Sequence, residues 1–141
     1  MKEKAPVWFT IVAVLALIWN LMGVMAFLGQ LFMPPEMMEA LPAEQKDLMA
    51  RTPVWVNLAF ATAVFGGALG ALFLLLKKRF ALPLFILSFV GVVIQMYWNF
   101  FIGNSIEVYG PGEALMPAMI LLFGLLLILL ANKAKNKRWI V

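Results

Sequence analysis

The chain has 141 residues, 65% of them hydrophobic and only 13% charged, with a net charge of +4, no cysteine and no histidine. A soluble domain carries roughly twice that share of charge, so the composition excludes an ordinary water-soluble fold and points to an integral membrane protein. The missing cysteine and histidine remove disulfides, thiol chemistry, the commonest metal ligand and the commonest general base.

Residues 7–32 form the first apolar run, broken by Thr10, Asn20 and Gln30. It is long enough to cross a hydrocarbon core of about 30 Å and longer than the apolar core of a signal peptide, so it reads as an uncleaved first span. Met33-Pro34-Pro35 ends it, because proline lacks a donor and disfavours helix in the residue before it. Residues 34–52 form a water-compatible loop, with Pro42 suited to the first turn of a short helix at 43–49. This loop has two readings: a cap lying on the outer membrane face, or a lid over a cavity.

The second span covers residues 54–76, with Trp55 as an interfacial anchor. Ala59, Ala63, Gly67 and Ala71 recur every four residues, beside Gly66-x-x-x-Gly70. Small residues at this spacing let helices approach closely in lipid, either within one chain or across a homodimer. Lys77-Lys78-Arg79 is a turn short enough to force the second and third spans antiparallel. The third span covers 81–105 and carries the densest polar stretch, from Gln95 through Tyr97, Trp98 and Asn99 to Asn104 and Ser105. Gly110-Pro111-Gly112 is a turn signal. The fourth span, 114–132, has Pro117 in its first turn and an apolar core at 120–130, and reads as a lipid-facing helix. The segment from Asn132 to Val141 reads as a basic tail against anionic headgroups.

Charge orients the spans. Lys2, Lys4, the 77–79 turn and the four cations between 133 and 138 fall on one side; Glu36, Glu39, Glu44, Asp47, Glu107 and Glu113 fall on the other. This alternation is the positive-inside pattern; a nucleic-acid-binding face would not alternate with the spans. The expected fold is therefore all-α: one integral membrane domain over residues 1–141, a four-helix transmembrane bundle running up-down-up-down, with both termini cytoplasmic in a bacterial inner membrane. A faint internal echo pairs Trp19-Asn20 with Trp98-Asn99, and an ancient duplication and chance both account for it.

Polar side chains inside spans cost free energy unless partnered. Asn20, Gly23, Phe27 and Gln30 share one helical stripe; Ser88, Gly91, Gln95, Asn99 and Ile102 share another. At 1.5 Å per residue, Asn20 lies about 20 Å above Val7 and Gln95 about 21 Å above Ala81, so the amides concentrate in the outer half of the membrane. One reading makes them interhelical glue. The other makes Asn20, Gln30, Asn57, Gln95, Tyr97, Trp98 and Asn99 the lining of an outward-facing pocket for a neutral polar or amphipathic ligand. No Asp, Glu, Lys, Arg or His lies inside a span, which argues against proton coupling. No nucleophile–base pair, metal cluster or phosphate loop stands out, so no catalytic residue, metal or cofactor is expected.

Residues 11–27 (IVAVLALIWNLMGVMAF), 64–70 (VFGGALG), 82–88 (LPLFILS) and 108–111 (VYGP) resemble a group of small bacterial four-helix inner-membrane proteins, mostly uncharacterised and sometimes loosely labelled sugar transporters. The resemblance covers nearly the whole chain. Its motifs are structural, so it implies the fold and no site residues. The expected function is a non-catalytic accessory or lipid- or neutral-ligand-binding subunit. The alternative is a small-solute, sugar-like transporter working as an oligomer. Expected partners are membrane lipids, anionic headgroups at the basic face, and further copies or a larger membrane complex, with no nucleic acid.

Overall fold

The computed structural model describes residues 4–102 and 115–141. Helix α1 spans Val7–Leu31, α2 Pro35–Glu39, α3 Ala43–Arg51, α4 Val54–Leu75, α5 Ala81–Tyr97 and α6 Leu115–Asn136. Trp98–Ile102 continues α5 as a π-helical turn. Four of these stretches, Val7–Leu31, Val54–Leu75, Ala81–Ile102 and Pro117–Asn136, are long and apolar enough to cross a membrane, the architecture of a multi-pass membrane protein. Proline sets the helix starts. Pro6, Pro34, Pro42 and Pro53 are N-caps, Pro35 opens α2, and Pro83 and Pro117 sit in the first turns of α5 and α6. A first turn has no use for the missing N–H, and the fixed φ is already helical. Helix α2 was not expected; its Pro34-Pro35 start stands in the place of a plain break.

Helix α1 packs along α4, α4 along α5 and α5 along α6. The closest of these seams is built from small residues. Ala59, Ala63, Gly66, Gly67, Gly70 and Ala71 are all buried within the one chain. Gly91 of α5 faces the backbone of α4 so closely that an added Cβ would lie 2.8 Å from the Ala59 carbonyl. Next to it the Ser88 hydroxyl donates to the Ala63 carbonyl at 2.5 Å. The small-residue stripe is thus consumed by intramolecular packing, and a homodimer through this face has no free surface to use.

One end of the bundle gathers the start of α1, the α4–α5 turn and the last residues of the chain, so the four long helices alternate in direction. Phe9, Ala13, Leu74, Ala81, Ala134 and Ile140 form its core. Trp139 meets Phe9 and Trp8 edge-on at 5.4 and 5.6 Å, and the Lys133 Nζ lies 5.8 Å above the Trp8 ring. This differs from the expected basic tail. Helix α6 runs on to Asn136 because Ala131 and Ala134 keep an apolar face against the core while Asn132, Lys133, Lys135 and Asn136 point outward. Val141 then pairs with the α4–α5 turn: its N–H donates to the Lys77 carbonyl at 3.1 Å, and the Arg79 N–H donates to its carbonyl at 3.2 Å.

Helices α4 and α6 end alike. Lys77 and Arg138 adopt φ values of 63° and 60°. Lys78 N–H bonds the Phe73 carbonyl and Lys77 N–H the Leu74 carbonyl; Trp139 and Arg138 repeat the pattern on Ala134 and Lys135. These are Schellman closures with a cation where glycine is usual. The cation compensates part of the left-handed cost by facing the negative end of the helix dipole.

At the opposite end, Leu48 of α3 packs with Val56 and Trp98 in a small buried cluster. Helix α3 is thereby pinned over the ends of α4 and α5. The expectations for Lys2, for Asn104, Ser105, Glu107 and Glu113, and for the 110–112 turn fall outside the described residues.

Candidate functional site

A cavity of about 340 Å³ lies between all four long helices. Asn20, Ser88 and Gln95 are its polar groups, and Trp19, Phe60, Phe89, Val92 and Ile120 are among its apolar walls. Gly23, Gly67 and Gly124 in its lining let neighbouring side chains come close: Val64 stands against Gly23, Asn20 against Gly67 and Phe89 against Gly124. The ring of helices is weakest between α1 and α6. There Trp19 and Phe123 meet edge-on at 5.1 Å, and Met22 and Ala26, at the cavity's edge, are exposed.

The three polar groups are held differently. Ser88 spends its proton on the Ala63 carbonyl of the neighbouring helix. Asn20 donates from Nδ2 to the Ala16 carbonyl of its own helix at 2.8 Å, which turns Oδ1 toward the Cα of Gly67; any Cβ there would clash with the Asn20 amide. The Gln95 side chain makes no hydrogen bond among the described residues and is half-buried. Among the described residues it is the polar group in this cavity with no partner for its donors or its acceptor.

Counting from helix starts misplaced Asn20. Gly67 lies eight residues from the end of α4 and Ser88 seven from the start of α5, so both stand roughly 10–12 Å from that end at 1.5 Å per residue. Asn20 is level with them and about 10 Å below Gln95. Helix α1 therefore starts farther down than its neighbours, since Asn20 stands about 20 Å from the start of its own helix yet meets Gly67. Asn20 is therefore near mid-depth, not in the outer half.

A second cavity, of about 310 Å³, lies between α1, the α2–α3 segment and α4, lined by Phe27, Gln30, Met38, Lys46, Met49 and Asn57, with Leu31, Ala50 and Thr52 beside them. Phe27 on its wall meets Phe60, on the wall of the central cavity, edge-on at 5.2 Å. The residues expected to line one pocket are thus divided. Asn20 and Gln95 belong to the central cavity; Gln30 and Asn57 belong to the second, under α2 and α3. Tyr97 is 57% exposed on the bundle surface, stacked at a tilt on Phe101. Trp98 is 3% exposed and packed against Leu48 and Val56, so its face is not available to a ligand. Asn99 is half-buried beside it and lines neither cavity.

The π turn explains part of this. One extra residue per turn rotates the residues beyond it by about 100° relative to an α-helix, so Ile102, expected on the polar stripe, faces outward at 48% exposure. Lys46 and Ser88 were absent from the expected lining. Ser88 lay on the predicted stripe with Gln95, and that shared face was the available signal for it. Nothing in the sequence signalled that Lys46 turns inward.

Among the described residues no cluster of three acidic groups is placed to hold a metal ion. The lining of the central cavity has no charged side chain, so it can solvate a neutral head and shelter an apolar body, and it offers no counter-charge to an ion. No family model, curated protein or solved structure matches the chain.

Proposed function

We propose that this protein is a non-catalytic subunit of a bacterial cytoplasmic membrane that holds a neutral, mainly apolar ligand from the bilayer in its central cavity. The observation that carries this reading is the lining itself: aromatic and aliphatic walls around Gln95, an amide with no hydrogen bond among the described residues, and no titratable group in the lining. An acyl chain with an uncharged head fits that chemistry. The thin α1–α6 seam at Trp19 and Phe123 supplies a route from the lipid. Orientation follows the positive-inside rule, with the Lys77–Arg79 turn and the α6 cations in the cytoplasm against anionic headgroups.

The test is ligand retention. Protein purified in mild detergent and transferred to lipid nanodiscs is expected to bind a monoacylglycerol probe saturably, as read by native mass spectrometry. Gln95→Leu should weaken binding while leaving the helix content and melting temperature unchanged. Ala26→Trp, at the exposed rim, should block it. Loss of folding in Gln95→Leu would make the amide a structural joint and end the ligand reading.

The second cavity favours a rival reading, a small-solute carrier of sugar-like substrates working as an oligomer. Two cavities separated by the Phe27–Phe60 pair resemble successive stations on a path, and the resemblance to proteins labelled sugar transporters points the same way. Saturable sugar flux into proteoliposomes, abolished by Gln95→Leu in one cavity or Asn57→Leu in the other, would replace the binding reading with this one.

A further inference from the structure

The outer cavity carries a feature that the neutral central cavity lacks. Helix α3 is short and amphipathic. It turns Glu44, Asp47, Ala50 and Arg51 to solvent, and Gln45, Lys46, Leu48 and Met49 toward the bundle. Its two cations are treated oppositely. Arg51 pairs with Asp47 at 3.0 Å on the exposed side. Lys46 is half-buried and lines the cavity, and among the described residues no carboxylate lies within 4 Å of its ammonium. A lysine whose stem is half-buried along a cavity wall brings its ammonium within reach of an anion that enters there.

The groups around Lys46 complete a recognition pattern. Gln30 of α1 and Asn57 of α4 each bring an amide with two N–H donors, and neither side chain is bonded within the described residues. Thr52 is not a donor here, because its hydroxyl proton goes to the Leu48 carbonyl at 2.8 Å. Phe27, Leu31 and Met38 supply an apolar wall. One cation, two amide donors and an apolar wall in about 310 Å³ match a small ligand with one anionic head and an apolar tail; the volume is near the lower limit of small-molecule sites, about 300 Å³.

We propose that the outer cavity binds an anionic amphiphile, its carboxylate or phosphate head paired with the Lys46 ammonium and hydrogen-bonded by the Gln30 and Asn57 amides, its tail lying against Phe27, Leu31 and Met38. This site is separate from the central cavity and does not depend on what that cavity holds. The ammonium supplies the charge selectivity and the wall supplies the requirement for a tail.

Binding of dodecyl phosphate, dodecanol and inorganic phosphate to the full chain in zwitterionic nanodiscs tests the assignment. Dodecyl phosphate is expected to bind saturably, at least tenfold tighter than dodecanol and than inorganic phosphate. Lys46→Gln should erase the advantage over dodecanol, and Lys46→Arg should retain most of it. Ala50→Trp, on the exposed rim of the cavity, should block dodecyl phosphate without disturbing the bundle. Nanodiscs containing phosphatidylglycerol identify the natural source. Competition there assigns a lipid headgroup; no competition assigns a free amphiphile. Equal binding of dodecanol and dodecyl phosphate, or unchanged binding in Lys46→Gln or Ala50→Trp, would overturn the proposal.

Discussion

The α4–α5 seam offers the sharpest test of how this bundle is held together. An added methyl at Gly91 would stand 2.8 Å from the Ala59 carbonyl and 3.1 Å from the Ala63 amide nitrogen. Both are backbone atoms of a long helix and cannot rotate away, so relief requires the two helices to separate locally. Overpacking of this kind costs about 1–3 kcal/mol. Separation also stretches the Ser88–Ala63 hydrogen bond one turn away, and an interhelical bond of this type is worth about 0.6–1.7 kcal/mol. Gly91→Ala is thus expected to destabilise the bundle by about 2–4 kcal/mol. Gly29→Ala is the internal control. It lies in α1 with nothing within 4 Å of its added Cβ, and the better helix propensity of alanine should leave stability equal or raise it by up to about 1 kcal/mol. Reversible unfolding in mixed micelles of increasing denaturing detergent, followed by circular dichroism, measures both. If Gly91→Ala unfolds at the same detergent fraction as Gly29→Ala, the seam is not backbone-limited and the packing argument fails.

Other expectations probe the remaining joints. Ser88→Ala alone should cost about 0.6–1.7 kcal/mol in the same assay, and less in the Gly91→Ala background, where the bond is already stretched. Leu48→Ala removes the side chain that pins α3 to Val56 and Trp98; limited proteolysis within residues 34–52 should accelerate, at a cost of about 2 kcal/mol or more for a buried leucine, while the four spans stay folded. Lys77→Gly and Arg138→Gly relieve left-handed backbone at the two Schellman closures, a conformation that costs an L-residue about 1–2 kcal/mol. Each should raise the unfolding midpoint while lowering affinity for anionic vesicles. Arg51→Ala should change stability by less than about 0.5 kcal/mol, because its ion pair with Asp47 is exposed on both sides.

The spans were legible because their signals are local. Apolar runs of sufficient length, each opened near a proline, mark helices whatever surrounds them, and α1, α4 and the long α5 stretch begin where those signals put them. The stripe Ala59-Ala63-Gly67-Ala71 was legible as a packing face for the same reason: its period belongs to one helix. Less legible was anything that depends on how far one helix slides along another. Asn20 was displaced from the outer half to mid-depth because α1 starts below its neighbours, and the amide against Gly67 marks its level. The single expected pocket became two because the Phe27 and Phe60 rings meet between them. Trp98 was expected to show its face to a ligand; α3, folded over the bundle end, covers it with Leu48.

Residue order alone was therefore enough to place four apolar helices, their alternation and the segregation of charge, since hydropathy and charge act through each segment's own transfer between water and lipid. Folding in three dimensions settled which polar groups are already spent. Ser88 is bonded across a seam, Asn20 to its own helix, and Arg51 to Asp47, while Gln95 in one cavity and Lys46 in the other have no such bond among the described residues. A side chain's chemistry is written in the chain, but its partner is fixed by axial register and helix rotation, which arise from many weak packing contacts that no single residue announces.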